Sequence, residues 1–120
     1  SLLGDDRAWE EGIVEAPSMR IIDGAYHLLY SANRWDTDKY GIGQAVCESV
    51  SGPCRKQPGD QPSIVAQGAA VAAGGAEFVD IDGSVWIVHH NWRADRVGAG
   101  GRFVLLAPLT LDLQGWLRMA

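Results

Sequence analysis

Three sets of side chains in this 120-residue sequence could do chemistry: the adjacent pair His89-His90, the cysteines Cys47 and Cys54, and the isolated carboxyl of Glu15. Adjacent residues on a strand point to opposite faces, so the two imidazoles cannot chelate one ion from regular β geometry. No Cys/His/carboxylate spacing for zinc and no His-Glu-x-x-His motif is present, and no metal site is expected. Cys47 and Cys54 flank the turn Glu48–Pro53, where a hairpin register brings their Cβ atoms within disulfide reach. A bridge is expected there, contributing on the order of 2–3 kcal/mol in the chain-entropy model. The alternative is two buried thiols in a cytosolic protein. Glu15 lies between Val14 and Ala16-Pro17, with Ile13 and Met19 nearby and no local cationic partner. Taken by itself it reads as a solvated residue at a strand start.

The elements that must hold these groups are strands. Fifteen glycines and five prolines separate short runs of Val, Ile, Leu, Tyr and Trp, an all-β pattern without a convincing amphipathic helix. Asp23-Gly24 and Asp82-Gly83 each stand between two such runs and fit the positive φ angles of a type I′ hairpin turn. The first hairpin joins Ser18–Ile22 to Tyr26–Ala32, and the second joins Glu77–Ile81 to Val85–Trp92. Third strands follow at Tyr40–Cys47 and Arg102–Pro108, and weaker fourth strands at Cys54–Gln57 and Trp116–Met119. The turns are 82 − 23 = 59 residues apart, and at that offset Leu28-Leu29 falls on Ile87-Val88 and Gly41 on Gly100. Four antiparallel strands repeated at a fixed period predict β-propeller blades, blade A over about 12–60 and blade B over about 68–119. Half of a sandwich is the plainer alternative. A propeller needs roughly four blades or more to close, so the chain is expected to be a partial propeller domain within something larger.

Composition sets the outer limits. The chain is 47% hydrophobic and 21% charged with a mean hydropathy of −0.06, which excludes disorder as the default. The net charge is −5 and the ten basic residues are scattered, so nucleic acid and anionic membrane are excluded as partners. No apolar run approaches the roughly 18 residues of a membrane span, the Gln67–Ala76 segment being broken by glycines. The sequence opens at Ser1 without a charged leader, so an export signal is expected to have been removed or never to have existed.

The run Trp9-Glu10-Glu11-Gly12-Ile13-Val14-Glu15-Ala16-Pro17, then Asp23–Asn33, Tyr40-Gly41-Ile42-Gly43-Gln44-Ala45 and Ser51-Gly52-Pro53, resembles the third and fourth blades of family 43 glycoside hydrolases. The likeness continues through Asp82–His90, Gly101-Arg102 and Pro108–Asp112 and covers nearly the whole chain. The resemblance implies a five-bladed propeller that hydrolyses arabinose- or xylose-containing glycans with inversion. It implies that Glu15 is the general acid, since it matches the glutamate of the family's Val-Glu-Gly-Pro or Val-Glu-Ala-Pro motif. An acid with that task needs a raised pKa, which apolar neighbours supply. The family's base and its pKa-tuning aspartate lie in earlier blades, so neither role is assigned to any aspartate of this chain.

By the same resemblance His90 is a channel residue or a satisfied core histidine, and Arg102 a substrate contact, a carboxylate-orienting group or a strand-edge ion pair. Trp9, Trp35 and Trp92 offer faces on which sugar rings stack, with core packing the alternative for each. Many family members place a Gly-His segment where this sequence has Gly74-Gly75-Ala76-Glu77, so a channel-bound calcium and any other cofactor are not expected. The expected partners are a carbohydrate substrate and the remaining blades, supplied by a longer chain, a second chain or oligomerisation. A glycan too large to enter a cell, together with the disulfide, implies an extracellular or periplasmic location. The competing readings are a non-catalytic carbohydrate-binding propeller and a two-blade unit that closes only as an oligomer.

Overall fold

In the computed structural model, residues 1–65 and 69–120 are described. The blade boundary expected at 68, and Gln67, lie outside them. Eight strands run in chain order: β1 Val14–Ile22, β2 Ala25–Ala32, β3 Gly41–Cys47, β4 Cys54–Lys56, β5 Ala70–Ile81, β6 Ser84–Arg93, β7 Phe103–Leu111 and β8 Leu117–Met119. They form two four-stranded sheets, β1-β2-β3-β4 and β5-β6-β7-β8, in which every neighbouring pair is antiparallel. The one helical turn among the described residues is a 3-10 turn at Ala8–Glu10.

Both hairpins close through two-residue loops, Ile22 pairing with Ala25 and Ile81 with Ser84. Their Asp and Gly residues have φ of 49° and 80° in each loop, the positive pair that a type I′ turn requires. The repeat extends to register, because Met19↔Leu28 becomes Phe78↔Ile87 and Ser18↔Leu29 becomes Glu77↔Val88 at the 59-residue offset. Tyr40 and Arg102 fall just outside the strands expected to begin with them, β7 ends at Leu111 rather than Pro108, and the largest shifts are at two strand starts. β1 starts at Val14 rather than Ser18, and β5 at Ala70 rather than Glu77. In each strand a bulge interrupts the ladder, between Glu15 and Ser18 and again between Gly74 and Glu77. A bulge breaks the two-residue alternation, which hid the first residues of these strands. Glu77 therefore lies within its strand, not at its start. The expected match of Gly41 with Gly100 also fails, because Ile42 pairs with Ser31 while Val104 pairs with His90, which makes the second connection three residues longer.

The sheets stack face to face over a core of Leu29, Ile42, Ile64, Ala73, Ala76, Ile87 and Leu117. Gln44 stitches β3 to β8, its Nε2 donating to the Leu117 carbonyl (2.9 Å) and its Oε1 accepting from the Leu117 N–H (2.8 Å). Along the first strands, Ser18 Oγ donates to Glu77 Oε2 (2.8 Å) and Arg20 pairs with Asp80 (2.5 Å). The opposite face of the first sheet is covered by the N-terminal segment, Leu2 and Leu3 packing on Leu28, Ala45 and Cys47. That segment is held by Lys56, whose Nζ donates to the Gly4 carbonyl (2.5 Å), Asp6 (2.6 Å) and the fully buried Glu10 (2.7 Å). Tyr30 donates to the same Glu10 carboxylate at 2.9 Å. Removing either partner of such a buried pair costs about 3–5 kcal/mol, since the other charge is left without compensation. Cys47 and Cys54 form a disulfide between β3 and β4, so the reduced alternative is set aside.

Candidate functional site

Glu15 leaves β1 at the bulge. Ala16, the next residue, has φ of 49°, a left-handed conformation that a residue with a Cβ adopts only at some cost. Such a bulge re-aims the neighbouring side chain. The Glu15 carboxyl accepts a 2.7 Å hydrogen bond at Oε1 from the Tyr40 hydroxyl. Behind it lies an apolar recess of about 240 Å³ formed with Leu2, Leu3, Val14, Pro17 and Leu28. Glu15 itself is exposed, as are Ala16 and Pro17, so its apolar neighbours flank it on one side and do not enclose it.

Tyr40 connects the two sheets. Its ring lies parallel to that of His90 on β6, at a centroid distance of 6.0 Å and an interplanar angle of 5°. Burial, with the neighbouring Glu15 carboxylate adding to it, pushes the Tyr40 phenol up to about 12, so it is a proton donor at any ordinary pH. Gly74 makes room for it: a Cβ at that position would fall inside the Tyr40 ring. Gly75, with φ of 62°, does the same for His90, whose Cδ2 and Nε2 would both lie 2.7 Å from an added Cβ. The Gly75 N–H donates to the buried Ser31 hydroxyl at 2.8 Å.

Arg102 Nη1 lies 3.3 Å from His90 Nε2. A guanidinium only donates, so Nε2 carries the lone pair and His90 is neutral. Burial, then the positive charge of Arg102, holds the His90 pKa below its ordinary value. The same guanidinium stands 5.3 Å from the Trp35 ring centroid and 5.4 Å from that of Trp92, within cation–π range of both. Trp92 is buried and donates its Nε1–H to the Trp35 carbonyl (2.7 Å), while Trp35 is half exposed and presents its ring to solvent. Trp9 packs on Tyr30 instead, with ring centroids 6.3 Å apart. His89 turns the other way, into the interior, and burial lowers its pKa.

The structure thus links Glu15, His90, Arg102 and Trp35 in one chain of contacts, which Tyr40 completes. Tyr40 stood in a matching motif only as a strand residue, with no role at the site. The available signal was 74 − 15 = 59, which marks Gly74 as the side-chain-free counterpart of Glu15 and so as a hole beside it. Gly74 and Gly75 leave space that Tyr40 and His90 fill, and a guanidinium faces the His90 nitrogen. Among the described residues no group of three His, Cys, Asp or Glu side chains is placed to hold a metal ion.

Two face-stacked, four-stranded antiparallel sheets repeated in register, with polar and aromatic side chains gathered at one end, define a pair of β-propeller blades. Residues 4–117 match the model for glycosyl hydrolases family 43, and the chain belongs to that family. It superposes on an endo-1,4-beta-xylanase from Bacteroides thetaiotaomicron with a TM-score of 0.83 and 26% identity, covering 98% of this chain and 42% of that one. A thermostable family-43 glycoside hydrolase gives 0.82 and 25%, covering 98% of this chain and 40% of that one. An alpha-L-arabinanase from Cellvibrio cellulosa, at 21% identity and a TM-score of 0.73, shares the fold over 89% of this chain and 36% of its own. The chain therefore spans less than half the length of these enzymes. No curated protein sequence matches it.

Proposed function

We propose that this chain is the acid-bearing part of an inverting glycosidase acting on arabinose- or xylose-containing glycans. Glu15 is the general acid, and Trp35, His90 and Arg102 contact the sugar. The observation that carries this reading is the position of the Glu15 carboxyl at a bulge, held at 2.7 Å by Tyr40 beside His90 and Arg102, in a chain of this family. Family membership supports glycoside hydrolysis, and xylose- and arabinose-directed enzymes are among the similar structures. Trp35 is half exposed, and although Trp92 stacks on its ring and Arg102 lies over it, its open part is apolar aromatic surface of the kind on which a sugar ring packs. Inversion requires a second carboxylate about 6.5–9.5 Å from the acid to activate water, and that base comes from blades outside this chain. Export is part of the proposal, supported by the Cys47–Cys54 disulfide.

The test is the leaving-group dependence of Glu15→Ala in the complete propeller. Protonation matters for an oligosaccharide and scarcely for a 2,4-dinitrophenyl glycoside, so the variant loses about 10²–10⁴-fold on the first and little on the second. Equal losses on both substrates, or none on either, remove Glu15 from the role.

A further inference from the structure

We propose that Tyr40 is the positioning residue for the Glu15 carboxyl: its hydroxyl occupies Oε1 and so leaves Oε2 as the oxygen that hands over the proton. The inference rests on the general-acid reading of Glu15. Tyr40 Oη donates to Oε1 at 2.7 Å, and a donor there favours the acid form whose carbonyl oxygen is Oε1 and whose O–H is Oε2. The proton then passes from Oε2 to the departing oxygen, the bond to the sugar breaks, and the carboxylate left behind still accepts from Tyr40.

What makes this a positioning device is how firmly Tyr40 is itself held, and from which side. Its ring is buried, stacks parallel on His90, and fills the space over Gly74. Both of those residues belong to the second sheet, whereas Glu15 belongs to the first. Gly74 and Glu15 are equivalent positions of the repeat, pairing with His90 and Ser31 respectively. The missing side chain of one blade thus makes the socket for the residue that orients the side chain of the other. Glu15 immediately precedes a strained residue at a solvent-facing bulge, a position that by itself would leave a long carboxyl side chain several rotamers.

Tyr40→Phe keeps the ring, the stack on His90 and the contact with Gly74, and deletes only the donor. Two measurements test it. In the 120-residue chain, the Glu15 side-chain couplings read by NMR report one rotamer, and Tyr40→Phe averages them. In the complete propeller, Tyr40→Phe lowers kcat on xylose and arabinose oligosaccharides about 10- to 100-fold, leaves KM unchanged, and leaves 2,4-dinitrophenyl glycosides nearly untouched. Unchanged Glu15 couplings overturn the proposal, as does an equal kcat loss on both substrate types, which marks a merely structural role. If Glu15→Ala shows no leaving-group dependence while Tyr40→Phe still averages the couplings, the general-acid reading has failed and the contact is structural only.

Discussion

Ile42 and Val104 hold the same place in the two sheets: each stands opposite a second-strand residue, Ser31 or His90, that the 59-residue offset relates. Ile42 is 0% exposed and Val104 is 65% exposed. The next matched pair repeats the contrast, Gln44 opposite Leu29 being buried and Leu106 opposite Val88 being 51% exposed. The side chains are similarly apolar or more so in the second sheet, so what differs is the neighbour. The second sheet covers the first, and among the described residues nothing covers Val104 and Leu106 on the second. An apolar strand face left open in this way is a contact surface for another element. The same contrast runs through the mouth of the site, where the bulge is repeated but one copy carries Glu15 and the other Gly74. In the proposed reading, function enters as a departure from a structural repeat.

Truncating the matched pair breaks or upholds this comparison with the largest effect. Ile42→Ala removes buried contacts of the inter-sheet core and costs about 2–5 kcal/mol. Val104→Ala at the equivalent position changes the stability of the isolated chain by no more than about 0.5 kcal/mol. Urea denaturation of both variants decides it, and equal costs would mean that the second face is covered in solution, by self-association for instance.

A smaller effect probes the interiors of the two sheets through pH. His27 in the first and His89 in the second are buried, and burial lowers both pKa values from 6.5; for His27 the nearby Asp23 carboxylate opposes the shift. The unfolded chain takes up protons near 6.5 and the folded chain only further down. Their contribution is therefore full above 6.5 and is lost as pH falls from there toward the lowered folded values, at up to about 1.4 kcal/mol per pH unit for each imidazole. Urea midpoints fall between pH 7.5 and 5.5, and NMR titration finds both imidazoles below 6.5. A midpoint at or above 6.5 for either would show that its ring is hydrated.

The turn chemistry made much of this fold legible. Asp-Gly at two places a fixed distance apart gave both hairpins, their register and the repeat, and the short Cys47–Cys54 spacing gave the bridge. The bulges were not fully legible, because Ala16 and Ala72, residues with a Cβ, adopt positive φ within strands, where composition carries no mark of it. The Glu10–Lys56 pair stayed hidden for another reason. Its members are 46 residues apart, and each alone reads as an ordinary surface charge. Glu15, His90 and Arg102 emerged from resemblance and Trp35 from the way sugar rings stack on aromatic faces, whereas Tyr40 needed the three-dimensional placement of Gly74 across from it.

The most direct test of the central claim, an acid presented on two blades of an unfinished ring, is hydrolysis by the isolated 120-residue chain beside the same chain joined to the blades that complete the propeller. The expected result is that the isolated chain folds and does not turn over arabinose or xylose oligosaccharides, because in the proposed mechanism the base comes from the other blades. The completed propeller turns them over, and loses that activity with Glu15→Ala. Robust, Glu15-dependent turnover by the isolated chain would show that one of its own aspartates is the base, and that the ring is not needed for catalysis.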